Sequence, residues 1–174
     1  MDTYCNFVYY PFTFLMRNTA GDVPCLLYHF RSLRSHQWYI VRVEEYPNHF
    51  YGIKFYLKAD SNNPHKYNHL TGLNEARPVI NTCIAILMDI SKRHPDASFG
   101  FIGANLIGEG YYETKRFRVY RRILTTYFSE IYFEHYQILE QSAYAMVRRS
   151  ELEKNPLLID QISTYFSDNY SNFD

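Results

Sequence analysis

The 174 residues balance 18 Lys plus Arg against 18 Asp plus Glu, so no global field marks the chain for nucleic acid or an anionic membrane, and the length suits one domain with its own core. Three cysteines, Cys5, Cys25 and Cys83, are odd in number, widely spaced and without histidines at metal-ligand spacing. That argues against a disulfide framework or a zinc site and fits reduced thiols in the cytoplasm.

No membrane association is expected either. The densest apolar run, Cys83-Ile84-Ala85-Ile86-Leu87-Met88, is too short to span a bilayer. The start, Met1-Asp2-Thr3-Tyr4-Cys5-Asn6, has no basic region followed by an apolar core, so no leader is expected. The chain is rich in tyrosine, with 18 Tyr beside 13 Phe, which suits a sheet face and also an interface.

Residues 7–16 are rich in strand formers, with Pro11 at a strand start or edge, and Asn18–Asp22 reads as a turn. Cys25–Phe30 is a short apolar run whose periodicity fits a strand or a helical piece. Gln37–Tyr46 and Tyr51–Lys58 alternate around Pro47-Asn48. Tyr39, Val41 and Val43 share a face, as do Tyr51, Ile53, Phe55 and Leu57, which makes an antiparallel hairpin with one buried side.

Residues 60–74 are polar and turn-rich, hence a loop. A helix capped by Asn74, with Pro78 in its first turn, carries Val79, Ile80, Cys83, Ile84, Leu87 and Ile90 at helical spacing and ends near His94-Pro95. Phe99–Ala104, apolar on both faces, is expected as a central strand, followed by the loop Asn105–Tyr112 with Gly108 and Gly110. Thr114 then caps a basic amphipathic helix with Phe117, Tyr120, Leu124 and Phe128 inward and Lys115, Arg118 and Arg122 outward. Ile131–Leu139 and Ala143–Val147 pair through a turn near Glu140-Gln141-Ser142. Asn155-Pro156 opens a last helix, and residues 167–174 are polar enough to fray.

No repeat or linker interrupts this order, so residues 1–174 form a single α+β domain, with a C-terminal helix and polar tail over 151–174. Its centre is a mainly antiparallel twisted sheet of about six to seven strands with two or three helices packed on it.

Over roughly residues 37–148, the order strand, helix, strand, helix, strand pair resembles the GNAT acyltransferase family, and Val119-Tyr120 matches an aliphatic-Tyr pair that the family often carries on its second helix. The resemblance implies a GNAT-like layout with acetyl-CoA or another acyl-CoA between the two central strands, and Tyr120 as the general acid that protonates the leaving thiolate. The family holds pyrophosphate on a glycine-containing loop at its first central helix. The equivalent stretch here, Leu73–Val79, has no glycine, holds Glu75, and loses an amide donor at Pro78. The segment from Phe99 to Asn105, with the Thr114–Tyr120 run after it, is also similar to small bacterial proteins, a likeness that implies no activity.

Lys115, Arg116, Arg118, Arg121 and Arg122 put five cations within eight residues, interleaved with Phe117 and Tyr120. This pattern can contact nucleic-acid phosphates and bases, or it can be a solvated face matched to the acids Glu151, Glu153, Asp160, Asp168 and Asp174. The Gly103–Gly110 loop lacks the Gly-Lys-Ser/Thr ending of a phosphate loop, and Glu109 would repel phosphate. Glu134 and His135 on one strand face opposite sides. No metal-ligand pattern is seen.

The leading expectation is therefore a non-enzymatic domain that binds another macromolecule, most simply a protein. It would need no cofactor and would bind through Asn105, Glu109, Lys115, Arg118 and Arg122. The alternatives are the acyl-CoA-dependent N-acyltransferase with Tyr120 as acid, and nucleic-acid binding through helix residues 115–122.

Overall fold

The computed structural model describes residues 8–67, 75–102, 115–138 and 143–170. Seven strands, β1 (Phe12–Asn18), β2 (Cys25–Arg31), β3 (Trp38–Tyr46), β4 (Phe50–Leu57), β5 (Ser98–Ile102), β6 (Phe133–Ile138) and β7 (Ala143–Arg148), join one sheet in the order β1-β2-β3-β4-β5-β7-β6. The helices are α1 (Ala76–Arg93), α2 (Lys115–Tyr127), α3 (Arg149–Lys154) and α4 (Leu158–Tyr170). The class is α+β, and the sheet is antiparallel throughout except where β5 lies parallel to β4. That pair is parallel because α1 carries the chain back over the sheet between the two strands, as a parallel connection requires.

Side-chain alternation divides the sheet into two unequal faces. Tyr39, Val41 and Val43 of β3, Phe99 and Phe101 of β5, and Tyr144 and Met146 of β7 face α1 and α2 in the larger core, with Ile84, Ile86, Ile90, Phe117 and Leu124. The reverse face has a smaller core in which Phe50, Ala143, Ala145 and Val147 meet Leu158, Ile162 and Phe166 of α4. β5 is thus covered on both sides, as its apolar composition predicts.

The hairpin, the central strand, the inward face of α2 and the β6–β7 pair form as the residue pattern predicts, and Pro11 directly precedes β1. Cys25–Arg31 is strand, held between β1 and β3. The hairpin turn puts Asn48 and His49 at φ of 62° and 55°, a left-handed region that Asn tolerates.

Other boundaries differ. Glu75, not Asn74, is the N-cap of α1, with no side-chain capping bond, while Asn74, Thr114 and the 140–142 turn lie outside the described residues. The described residues hold four helices where two or three are expected. Asn155 closes α3 and also leads into the last helix, which starts at Leu158 and not at Pro156: its Oδ1 accepts from the Leu157 amide and its carbonyl from the Leu158 amide, so the chain turns before α4 starts.

Glu75 has another task. Only 2% exposed, its carboxylate accepts hydrogen bonds from Tyr39 Oη at 2.7 Å, Ser35 Oγ at 2.8 Å and Ser32 Oγ. It ties the start of α1 to the β2–β3 turn. Burial by itself raises the pKa of this carboxyl, but the bonds from Ser32, Tyr39 and Ser35, with the charge of Arg34, outweigh it and hold the group below its ordinary value.

A folded-state pKa below the unfolded one gives stability that is present above the unfolded pKa and lost as pH falls through the folded one. Glu75→Gln should therefore cost about 1–3 kcal/mol in urea unfolding at neutral pH. Its deficit relative to the parent should shrink as pH drops below the ordinary glutamate range. A second expectation concerns Gly100, where a methyl group would meet Phe50 Cζ at 2.5 Å and Phe166 Cζ at 2.8 Å. Gly100→Ala should destabilise by about 1–3 kcal/mol, and Phe166→Leu in the same chain should cost less than it does alone.

Candidate functional site

The parallel contact between β4 and β5 is short. It runs from Phe50 opposite Ser98 to Ile53 opposite Phe101, one residue before the described part of β5 ends at Ile102. Beside it lies a cavity of about 40 Å³. Ile53 and Phe55 of β4, Phe101 of β5, Ile80 of α1, and Tyr120 and Leu124 of α2 give it an apolar wall. Lys54 and Tyr67 reach it as well. Since Lys54 alternates with Ile53 and Phe55, its side chain belongs to the reverse face of the sheet.

Tyr120 lines this cavity from α2. Its ring meets Phe101 edge-on at 4.4 Å and lies 6.3 Å from Phe55, and the residue is 8% exposed. Val119, its partner in the aliphatic-Tyr pair, is 40% exposed on the outside of the helix. The helical period of α2 therefore sends Tyr120 to the cavity and Val119 outward.

Of the residues expected to form a binding surface, Asn105 and Glu109 lie outside the described residues, as does the side chain of Lys115. Arg118 and Arg122 are exposed on the outer face of α2, as the pattern predicts. Among the described residues the acidic C-terminal region does not face this helix. α4 packs on the opposite face of the sheet from α2, and Glu151 instead pairs with Lys154 at 2.7 Å.

The cations of α2 have a companion that the sequence reading does not single out. Arg77, in the first turn of α1, lines a broad surface groove of about 650 Å³ together with Arg118, Arg121 and Arg122. Neither helix carries an acid in its first turn, where acids ordinarily complement the dipole. That was the available signal for Arg77. Within the groove wall, Arg121 donates to Gln137 Oε1 at 3.3 Å and sits 5.5 Å from the Phe117 ring. Arg77 and the arginines of α2 thus line one groove at the start of α1.

Other candidates resolve into packing. Both ring nitrogens of His135 are engaged, Nδ1 with Tyr144 Oη at 2.6 Å and Nε2 with the Phe128 carbonyl at 2.8 Å, and burial pushes the Tyr144 phenol up to about 12. Glu134, on the other side of the strand, accepts from Tyr136 and Arg149. Cys83 is buried in the core. Among the described residues no three His, Cys, Asp or Glu side chains are placed to hold a metal ion, and no helix is long and apolar enough to cross a membrane.

Comparison with protein-family models, with curated proteins and with solved structures finds no match for this chain.

Proposed function

We propose that the chain is a GNAT-like N-acyltransferase, using an acyl-CoA thioester as donor and Tyr120 as the general acid. The observation that carries this reading is the placement of Tyr120, which lies against Phe101 of β5 and Phe55 of β4 and lines one apolar cavity with both strands. In this reading the thioester arm lies between the strands, where the resemblance in element order expects it. The substrate amine attacks the thioester carbonyl, the carbon–sulfur bond breaks, and the Tyr120 hydroxyl gives its proton to the departing sulfur.

Two features soften the missing glycine loop. The Glu75 carboxylate is turned into the protein toward Ser32, Ser35 and Tyr39, away from an approaching phosphate. Arg77, Arg118 and Arg122 supply beside the start of α1 the positive charge that closely approaching backbone amides supply in the family. The cavity of about 40 Å³ is smaller than a thioester arm, so binding involves rearrangement of the side chains that line it.

A second reading, binding of another protein, draws on β1. Among the described residues this edge strand has no neighbour on its outer side, and Phe14, Leu15 and Met16 are between 44% and 51% exposed, which favours pairing with a strand from a partner. The same arginine groove is also compatible with nucleic-acid phosphates, a possibility marked by strong salt dependence.

Acetyl-CoA at about a hundredfold excess over Kd should raise the melting temperature by roughly 5–10 °C. No rise at millimolar ligand would overturn the reading. Tyr120→Phe should keep the thermal shift and lower acetyl transfer by about 10²–10⁴-fold, whereas Arg118→Glu with Arg122→Glu should reduce the shift itself. For the protein-binding reading, Leu15→Lys with Met16→Lys should abolish capture of a host partner, and unchanged capture would count against it.

A further inference from the structure

The densest run of exposed large apolar side chains among the described residues falls in and just before β1, where Val8, Tyr9, Phe14, Leu15 and Met16 all reach the surface. On one side β1 is laddered to β2, from Phe12 opposite Phe30 to Asn18 opposite Cys25. Among the described residues its other side has no strand neighbour. An apolar sheet edge of this kind is a place where another chain docks. The one charged side chain of the strand, Arg17, is held by Glu45 of β3 at 2.6 Å, so the middle of the edge presents apolar groups rather than charge.

The two ends of this edge differ in charge. The turn from β1 to β2 carries Asp22, exposed beyond the Asn18–Cys25 end of the ladder. At the opposite end β2 closes on Arg31, also exposed, whose Nε donates to the His36 carbonyl at 3.0 Å and is held at that end by the bond. A second copy turned by a two-fold axis through the middle of β1 sets the Asp22 end of each chain beside the Arg31 end of the other, whereas a parallel arrangement sets like charge beside like. Phe14, Leu15 and Met16 of the two copies then meet around the axis. Pro11 precedes the strand, and its register shifts between Phe14 and Met16, two features that interrupt an edge ladder. Side chains therefore carry the contact more than backbone bonds do.

We propose that β1 is the contact of a homodimer, in which two copies pack antiparallel across this strand about a two-fold axis, with Phe14, Leu15 and Met16 at the centre and Asp22 beside the partner's Arg31 at each end. The proposal rests on the reading of β1 as a protein-binding edge and names the partner; acyl transfer does not enter it. A second copy fits because it alone brings the same apolar centre and the same pair of opposite charges in reversed order. A seven-residue strand extends about 23 Å. One strand's width over that length covers less than the about 800 Å² per partner of a standard interface, so the dimer is a reversible one with Kd on the order of micromolar or weaker.

The test is analytical ultracentrifugation of the purified full chain from micromolar to near-millimolar concentration. The expected result is a mass that rises from one chain towards two. Leu15→Lys with Met16→Lys should weaken self-association by about tenfold or more. Asp22→Arg alone and Arg31→Asp alone should each weaken it by about threefold or more, and the two in one chain should restore it, because the reversed charges again meet their opposites across the axis. All four positions are exposed, and the melting temperature of each variant checks that the fold persists. One chain's mass at every concentration, a dimer indifferent to the two lysines, or a double charge reversal that stays dissociated would overturn the proposal. A chain that stays monomeric yet captures a different protein through Leu15 and Met16 overturns it as well and leaves the protein-binding reading standing. A dimer that responds to all four substitutions, with no thermal shift from acetyl-CoA, supports it and removes the acyltransfer reading.

Discussion

The short parallel contact between β4 and β5 is the constraint on which the rest of the molecule depends. Four paired positions, Phe50–Ile53 against Ser98–Phe101, join the antiparallel hairpin half of the sheet to the β5-β7-β6 half. The connection between them must cross over the sheet, which makes α1 a buried helix with Val79–Leu87 continuously enclosed. Where this contact ends, Tyr120, Phe101 and Phe55 meet from three different elements.

That junction also explains the use of glycine and aromatics around it. Gly100 faces the reverse side, where Phe50 and Phe166 pack edge to face at 5.7 Å directly over it. With no side chain at that position, α4 can approach β5 closely. On the opposite side Phe99 meets Phe128 and Phe133 from either end of the segment that joins α2 to β6. Much of the Phe and Tyr abundance is thus core, while Phe55, Tyr67, Phe101 and Tyr120 line the small cavity beside β4 and β5.

Charge is distributed with similar economy. Acids and bases are equal in number, yet the structure separates them locally. Arg77 and the α2 arginines lie on one side of the sheet, Arg42, Lys54 and Lys66 on the other. Glu75 and Glu44, both buried, are held by hydroxyls and by shared cations. Net neutrality of the chain therefore says little about the local charge on either face, because at such distances local pairs dominate over the sum.

The residue pattern by itself determined the α+β class, the β3–β4 hairpin, the buried stripe of α1, the inward set Phe117, Tyr120, Leu124 and Phe128, and the doubly covered β5. These follow from periodicities of two and 3.6 that any local stretch displays. Only the tertiary structure decided that α4 lies across the sheet from α2, that Glu75 belongs to the β2–β3 turn, and that Arg77 joins Arg118 and Arg122. The meeting of Lys66 and Tyr67 with Arg42 and Lys54 was decided there too. Such groupings join residues from different elements: Glu75 lies 36 positions from its partner Tyr39. Periodicity tells which way a side chain points from its own element, but which element it meets depends on strand order and on the face each helix covers, and no local pattern encodes these.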